Sequence, residues 1–181
     1  MKIAIIPGSA RKDSVNRKLA LVAASVAKEL GHEVDVIDPR VSMLPLYDQD
    51  LEAEAFPAVA DEIKARMKSA DALVFCSPEY NSSVTPLLKN LIDWTSRPSA
   101  EGENPLEAYS GKKAALLAAS PGALGGLRGL VALCSILGNI GVWVSPKQHA
   151  IGAAYGKFDD AGQLTDPRDL DQIRVVLAAL G

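Results

Sequence analysis

Three runs of nearly unbroken apolar residues constrain this chain most: Lys2–Ile6 (KIAII), Asp71–Cys76 (DALVFC) and Lys113–Ala119 (KAALLAA). A strand with one face in water alternates apolar and polar residues. A strand apolar at successive positions is buried on both faces, as in a parallel sheet covered by helices on either side. Two weaker runs, Glu33–Ile37 and Val142–Ser145, bring the expected strands to five. Between the runs lie helical patterns. Ser14–Leu30 is apolar at 15, 19, 22, 23, 26 and 30 and stops at Gly31, and four further helices are expected over Pro57–Ala70, Val84–Ser96, Leu124–Asn139 and Pro167–Leu180. Strand–helix alternation of this kind predicts an α/β fold with a doubly wound parallel sheet, for which the common five-strand order is 2-1-3-4-5. Residues 38–56 and 146–166 read as long irregular segments, a length often associated with function.

The 181 residues, 48% of them hydrophobic, suffice for one core and are read as a single domain over 1–181. A net charge of −3 argues against nucleic acid as a partner. No apolar run approaches the roughly 20 residues of a membrane span, and no signal peptide is apparent. Two cysteines, Cys76 and Cys134, far apart and without a CxxC, fit a reducing, cytoplasmic setting. His32 and His149 have no surrounding ligand pattern, so no metal site is expected.

In the order 2-1-3-4-5, the loops after strands 1, 3 and 4 converge at the carboxyl edge of the sheet, beside the switch point where ligands of such folds bind. The first loop is GSARKDSVN, Gly8–Asn16. It offers donors from Ser9, Ser14 and Asn16, a guanidinium from Arg11, and the start of a helix whose free N–H groups attract phosphate. The competing reading is a helix cap by Ser14 or Asp13 beside a solvated Arg-Lys pair. Neither GxGxxG nor GxxxxGK[ST] is present, which disfavours a dinucleotide fold or a P-loop. The second loop, within SPEYNSSVTPLLKNLIDW at 77–94, is longer than a strand-to-helix turn needs. Its backbone N–H groups can meet the polar edge of a heterocycle, and Tyr80 can border the ring. In the helix after this loop, Val84, Leu87, Leu88, Leu91 and Ile92 are expected in the core. The third loop, SPGALGG at 120–126, has three glycines that expose backbone to a flat ligand or, on the plainer reading, make a flexible turn. One phosphate loop with two ring-facing loops suits a mononucleotide such as FMN better than a dinucleotide.

GSARKDSVN, SPEYNSSVTPLLKNLIDW and SPGALGGLRG resemble the three FMN loops of the NADPH-dependent FMN reductase family, and LPLYDQDLE (44–52) and FDDAGQLTDP (158–167) are similar to family segments. The resemblance covers nearly the whole chain. It implies a flavodoxin-like fold, bound FMN, NADPH or NADH as co-substrate, and a small-molecule acceptor such as a quinone, free flavin, azo compound or metal oxyanion, with ping-pong kinetics. It further implies that Ser9, Arg11, Ser14 and Asn16 hold the phosphate. Pro78, Glu79, Tyr80 and Asn81 would line the ribityl chain and ring, and Ser120 and Gly122 would reach the pyrimidine edge. The position after PEYN, variable in the family, is the small Ser82. No residue is assigned a catalytic role, because the flavin carries the chemistry.

Several residues admit two readings. Cys76 is a core thiol or a redox thiol; Glu79 is a rim residue or a general acid; Tyr47 and Trp94 border a pocket or simply pack. His149 has no evident partner. The stretch LRGLVALCSILGNI has little polar face, which predicts burial against a second subunit, and the resemblance implies a homodimer or homotetramer. The principal alternative is a flavodoxin-like electron carrier without intrinsic NAD(P)H activity. A hydrolase of the same fold class would require GxSxG, which is missing.

Overall fold

The computed structural model describes residues 1–40 and 42–181. Five strands, β1 (Lys2–Pro7), β2 (Glu33–Val36), β3 (Ala72–Cys76), β4 (Lys113–Ala119) and β5 (Trp143–Ile151), form one sheet of order β2-β1-β3-β4-β5. Every pairing is parallel. Among the described residues, six helices connect or flank them: α1 (Val15–Glu29), α2 (Gln49–Glu54), α3 (Ala58–Lys68), α4 (Pro86–Thr95), α5 (Leu127–Asn139) and α6 (Pro167–Ala178). The fold is therefore the expected doubly wound, flavodoxin-like sheet with helices on both faces.

The central strands bury both faces because neighbouring side chains point to opposite sides. Ile3, Ile5, Val74, Cys76, Ala115 and Leu117 pack beneath α1 and α6. Ala4, Ile6, Leu73, Phe75, Ala114 and Leu116 pack beneath α3, α4 and α5. The two apolar layers explain why these runs carry almost no polar residue.

The irregular segments hold more order than expected. β5 does not end at Ser145 but continues to Ile151, with residues 148–151 opposite residues 116–119. Pro146 is tolerated because β5 is an edge strand, and an irregularity between Ala114 and Leu116 shifts the register. Within 38–56, α2 forms behind Asp48, whose carboxylate accepts from the Asp50 and Leu51 N–H groups. Beyond β5, Ala154–Gly156 makes a 3-10 turn, and Phe158 and Leu164 form an isolated bridge.

The aromatic residues of the α2 region pack against one another. Trp94 is fully buried, meets Tyr47 and Phe56 edge-on at 5.0 and 5.5 Å, and donates its indole N–H to the Pro45 carbonyl at 2.8 Å. Tyr47 donates to Glu52 at 2.7 Å. Nearby, the buried Lys64 ammonium is held by Glu103 (2.6 Å), Ser99 Oγ (2.7 Å) and the Arg97 carbonyl (3.0 Å). This ties the 97–103 segment to α3.

Burial alone would raise the Glu103 carboxyl. Hydrogen bonds from Lys64, the Ser99 N–H and Lys68 outweigh it and bring the group down to about 2 from an ordinary 4.5. A carboxyl depressed in the folded state stabilises it fully above the unfolded value and loses that contribution as pH falls through the folded value. The stability difference between wild type and Glu103→Gln is thus expected to be flat above pH ~5 and to shrink steadily towards pH ~2. Urea unfolding at a series of pH values checks this, and a difference independent of pH would contradict it.

Candidate functional site

The carboxyl ends of β1, β3 and β4 open onto a cleft of ≈ 310 Å³. It brings together Ser9, Arg11, Ser14, Asn16, Pro78, Glu79, Tyr80 and Ser120, eight of the ten residues singled out in the sequence. Asn81 and Gly122 lie just outside its lining. Gly122 donates its N–H to Ser120 Oγ at 3.3 Å, and Asn81 forms part of a surface turn. Tyr155, Pro121, Val15 and Ala119 complete the wall. Tyr155 escapes a reading of the sequence because it is brought in by the turn after β5, a strand expected to end earlier.

Loop 1 is held from both sides. The Gly8 N–H donates to the Cys76 carbonyl at 2.9 Å, and the Gly8 carbonyl accepts from Thr85 Oγ1 at 2.7 Å. Thr85 also caps α4 through the Leu88 N–H at 3.2 Å, so one hydroxyl fixes both the helix start and the neighbouring loop. Arg17 bonds Asp38 and the Lys12 carbonyl, bracing the loop from outside. Ser14 occupies the N-cap position of α1 but makes no side-chain capping bond. The alternative of a Ser14 or Asp13 cap is therefore not what the fold uses. The Arg11 guanidinium has no ion-pair or hydrogen-bond partner among the described residues.

Asn16 is spent differently. Its amide is buried, donating to the Ala119 carbonyl at 2.7 Å and accepting the Ala119 N–H at 2.9 Å. That ties loop 1 to the start of loop 3.

Loop 2 makes a tight turn, with reciprocal bonds of 3.0 Å between Tyr80 and Ser83 and positive φ at both Asn81 (50°) and Ser82 (64°). Asparagine tolerates that conformation and serine less so, so a turn of this kind persists only when its surroundings hold it. It leaves Tyr80 55% exposed at the rim, while Tyr155 stands 68% exposed on a turn bound to loop 3 by the Ala154 N–H to the Ser120 carbonyl at 3.0 Å.

Glu79 turns its carboxylate away from acid chemistry. Burial pushes it up, but hydrogen bonds from Arg128 and the Gly129 N–H prevail and hold it below the usual carboxylate range. A general acid needs the opposite shift. Cys76 is fully buried and its thiol is pushed far up by desolvation, which favours the core reading.

His149 does have a partner, contrary to expectation: Asp169 on α6, at 2.9 Å. The second Asp169 oxygen is held by Lys157 at 2.6 Å, and no hydroxyl or thiol bonds His149 among the described residues, so the pair lacks a nucleophile. No cluster of three or more metal-ligating side chains occurs among the described residues, and no described helix is long and apolar enough to cross a membrane.

A second, apolar groove of ≈ 220 Å³ lies between Met43, Leu44 and Leu46 and the α4 residues Pro86, Leu87 and Leu91. Leu87, expected in the core, is only half-buried and lines this groove.

A family model described as NADPH-dependent FMN reductase matches residues 1–156. The chain belongs to this family. An NAD(P)H-dependent FMN reductase of Pseudomonas aeruginosa is 36% identical over 181 residues, covering 99% of this chain and 93% of the relative. An NAD(P)H:quinone oxidoreductase of Solanum tuberosum is 36% identical over 186 residues, with 99% and 91% covered. Among solved structures, the flavoenzyme NAD(P)H:(acceptor) oxidoreductase FerB of Paracoccus denitrificans superposes with a TM-score of 0.84 at 32% identity, over 99% of this chain and 94% of that one. The cleft lies outside the carboxyl ends of β1 and β3, the switch point of the strand order, where open doubly wound sheets in general bind ligands.

Proposed function

We propose that this protein is an NAD(P)H-dependent FMN and quinone reductase whose cleft holds FMN. The observation that carries the reading is one of unspent groups. Among the described residues Arg11 has no side-chain partner, and the Ser14 hydroxyl is not used as a cap. The first residues of α1, Val15 and Asn16, line the same cleft, and among the described residues no backbone carbonyl accepts the Val15 N–H. A cation, a hydroxyl and a helix N-terminus converging at one end of a cleft fit a phosphate monoester. The other end fits a flat heterocycle: Pro78, Tyr80 and Ser120 present backbone edges and an aromatic rim, with no charged side chain but the already paired Glu79.

In this assignment Ser9, Arg11 and Ser14 hold the phosphate. Asn16 contributes chiefly by position, because its amide is bonded to Ala119. Residues 78–81, Ser120 and Gly122 border the ribityl chain and the ring. When bound, FMN supplies two-electron chemistry, accepting hydride from a nicotinamide and passing the electrons to a quinone-type acceptor. The chain's own residues bind and orient; Glu79, held below the usual carboxylate range by Arg128 and the Gly129 N–H, and Cys76, sealed in the core, are not placed to move a proton. Exposed Tyr80 and Tyr155 frame the entrance through which nicotinamide and acceptor would alternate.

Leu127 and Val131, one turn apart on α5, and Leu124 just before it are all exposed. We infer that a second copy of the chain covers this stripe. Sedimentation velocity at micromolar concentration is expected to give a dimer or larger; a lone species at the chain mass of 19.1 kDa would refute it.

Arg11→Ala is expected to weaken FMN binding by about 1.5–3 kcal/mol, the range for hydrogen bonds to charged groups, while riboflavin, which lacks the phosphate, binds wild type and variant alike. Titration of the apoprotein with both flavins checks it, and an equal loss for the two would show that Arg11 does not read phosphate.

The decisive test is anaerobic mixing of the FMN-loaded protein with NADH or NADPH, followed by a quinone. Bleaching of the flavin absorbance by at least one nicotinamide and its return on adding quinone are expected, with parallel initial-rate lines when both substrates vary. A bound flavin that dithionite reduces but neither nicotinamide does would replace the reductase by an electron carrier.

A further inference from the structure

Helix α5 begins at a residue that cannot cap it. Gly126, at the N-cap, has φ 99°, and a Cβ there would stand 2.9 Å from the Ala118 Cβ. The position is therefore closed to Ser, Thr, Asp and Asn, whose side chains ordinarily satisfy the first N–H groups of a helix. The missing acceptor comes from another loop. Glu79 Oε2 accepts the Gly129 N–H at 3.1 Å, and Oε1 takes the Arg128 guanidinium at 2.8 Å from Nε and 2.5 Å from Nη2.

The contact is close because residue 129 is also glycine: a Cβ there would lie 3.1 Å from the Glu79 Cβ and 3.2 Å from the Ser83 carbonyl oxygen. The Glu79 side chain is only 9% exposed, against 59% for Arg128, so the carboxylate is the inner member of the pair. A partly buried carboxylate at a helix N-terminus also gains from the helix dipole, which an exposed surface pair does not.

Glu79 immediately precedes the strained turn of residues 80–83, and residues 126–129 immediately adjoin loop 3. On the reading that these two loops border the ring end of an FMN site, we propose that Glu79 is a positioning residue: capping α5 from across the cleft edge, it fixes the spacing between loops 2 and 3 and so shapes the slot that receives a flat heterocycle. Arg128, not singled out by the sequence motifs, is its partner and keeps the carboxylate turned to the helix. Gln at position 79 retains an acceptor for the Gly129 N–H and loses the charge. Ala loses both. Met at position 128 removes the guanidinium and leaves the cap.

The test compares Glu79→Ala, Glu79→Gln and Arg128→Met with wild type in two readouts. The first is amide hydrogen exchange of the apoprotein, followed at Gly129 and at residues 80–83. The second is FMN affinity together with the visible circular dichroism of the bound flavin. Glu79→Ala is expected to speed exchange at both places, to weaken FMN roughly tenfold, the loss that accompanies one charge-assisted hydrogen bond, and to alter the dichroism. Glu79→Gln should recover most of the affinity, and Arg128→Met should fall between. A folded Glu79→Ala with wild-type exchange, affinity and dichroism overturns the proposal. If that variant does not fold, the other two decide by the same measurements, and wild-type behaviour in both overturns it equally. Should wild type itself bind no FMN, the flavin assignment falls, while exchange at Gly129 and the Tyr80 turn still decides whether Glu79 joins the loops.

Discussion

The arrangement of the cleft depends on a side-chain amide that stands in for a missing peptide. β3 and β4 remain paired up to the Ser77 N–H and the Leu117 carbonyl, 2.9 Å apart. There β3 leaves the sheet at Pro78, which has no N–H to give, while β4 runs on to Ala119. The Ala119 N–H and C=O would be buried without partners, at a cost of ~1–3 kcal/mol for each unsatisfied group. Asn16, arriving from the first turn of α1, carries a donor and an acceptor on one planar group and meets both. The sheet can therefore open at its switch point without breaking its hydrogen-bond ladder.

Two further ties complete a triangle. Thr85 joins loop 2 to loop 1 through the Gly8 carbonyl, Asn16 joins loop 1 to loop 3, and Glu79 joins loop 2 to α5 just beyond loop 3. Each vertex is a polar side chain satisfying backbone of a different loop. The result separates polar residues by use. Thr85, Asn16 and Glu79 are consumed in holding the frame, whereas the side chains of Arg11 and Ser14 line the cleft with no hydrogen-bond partner among the described residues. A frame fixed in this way lowers the ordering cost of binding, because the loops need not be arranged when the ligand arrives.

The sheet order is readable from sequence because a strand buried on both faces must be apolar at successive positions, and β1, β3 and β4 obey that rule apart from the lysines that open β1 and β4. The cleft is readable for a related reason: the order of strands brings three loops to one edge, and those loops carry the polar residues. The uses of individual side chains are less accessible. Asn16 reads in sequence as a ligand to phosphate, but its amide is engaged 103 residues away, at the end of a strand that outlasts its neighbour. Asp169 as the partner of His149 depends on α6 crossing β5. The full length of β5 is hidden by Pro146, which is compatible with a strand only because that strand lies at the edge of the sheet.

The same edge concentrates the conformational costs of the fold. Asn81 and Ser82 sit in the left-handed region, and α5 starts at a residue without a side chain to cap it. Neither feature adds to the apolar burial that stabilises the domain, and a turn or a helix chosen for stability alone would carry neither. They share one partner: the backbone that leads into the turn belongs to Glu79, and its carboxylate completes the helix. A single residue thus compensates an uncapped helix with the segment that must be kept in a strained conformation, which makes each feature a condition of the other. Loosening the cap releases the turn, and relaxing the turn withdraws the cap. Such coupling gives the loops two-sided support at the carboxyl edge of the sheet, where the cleft opens.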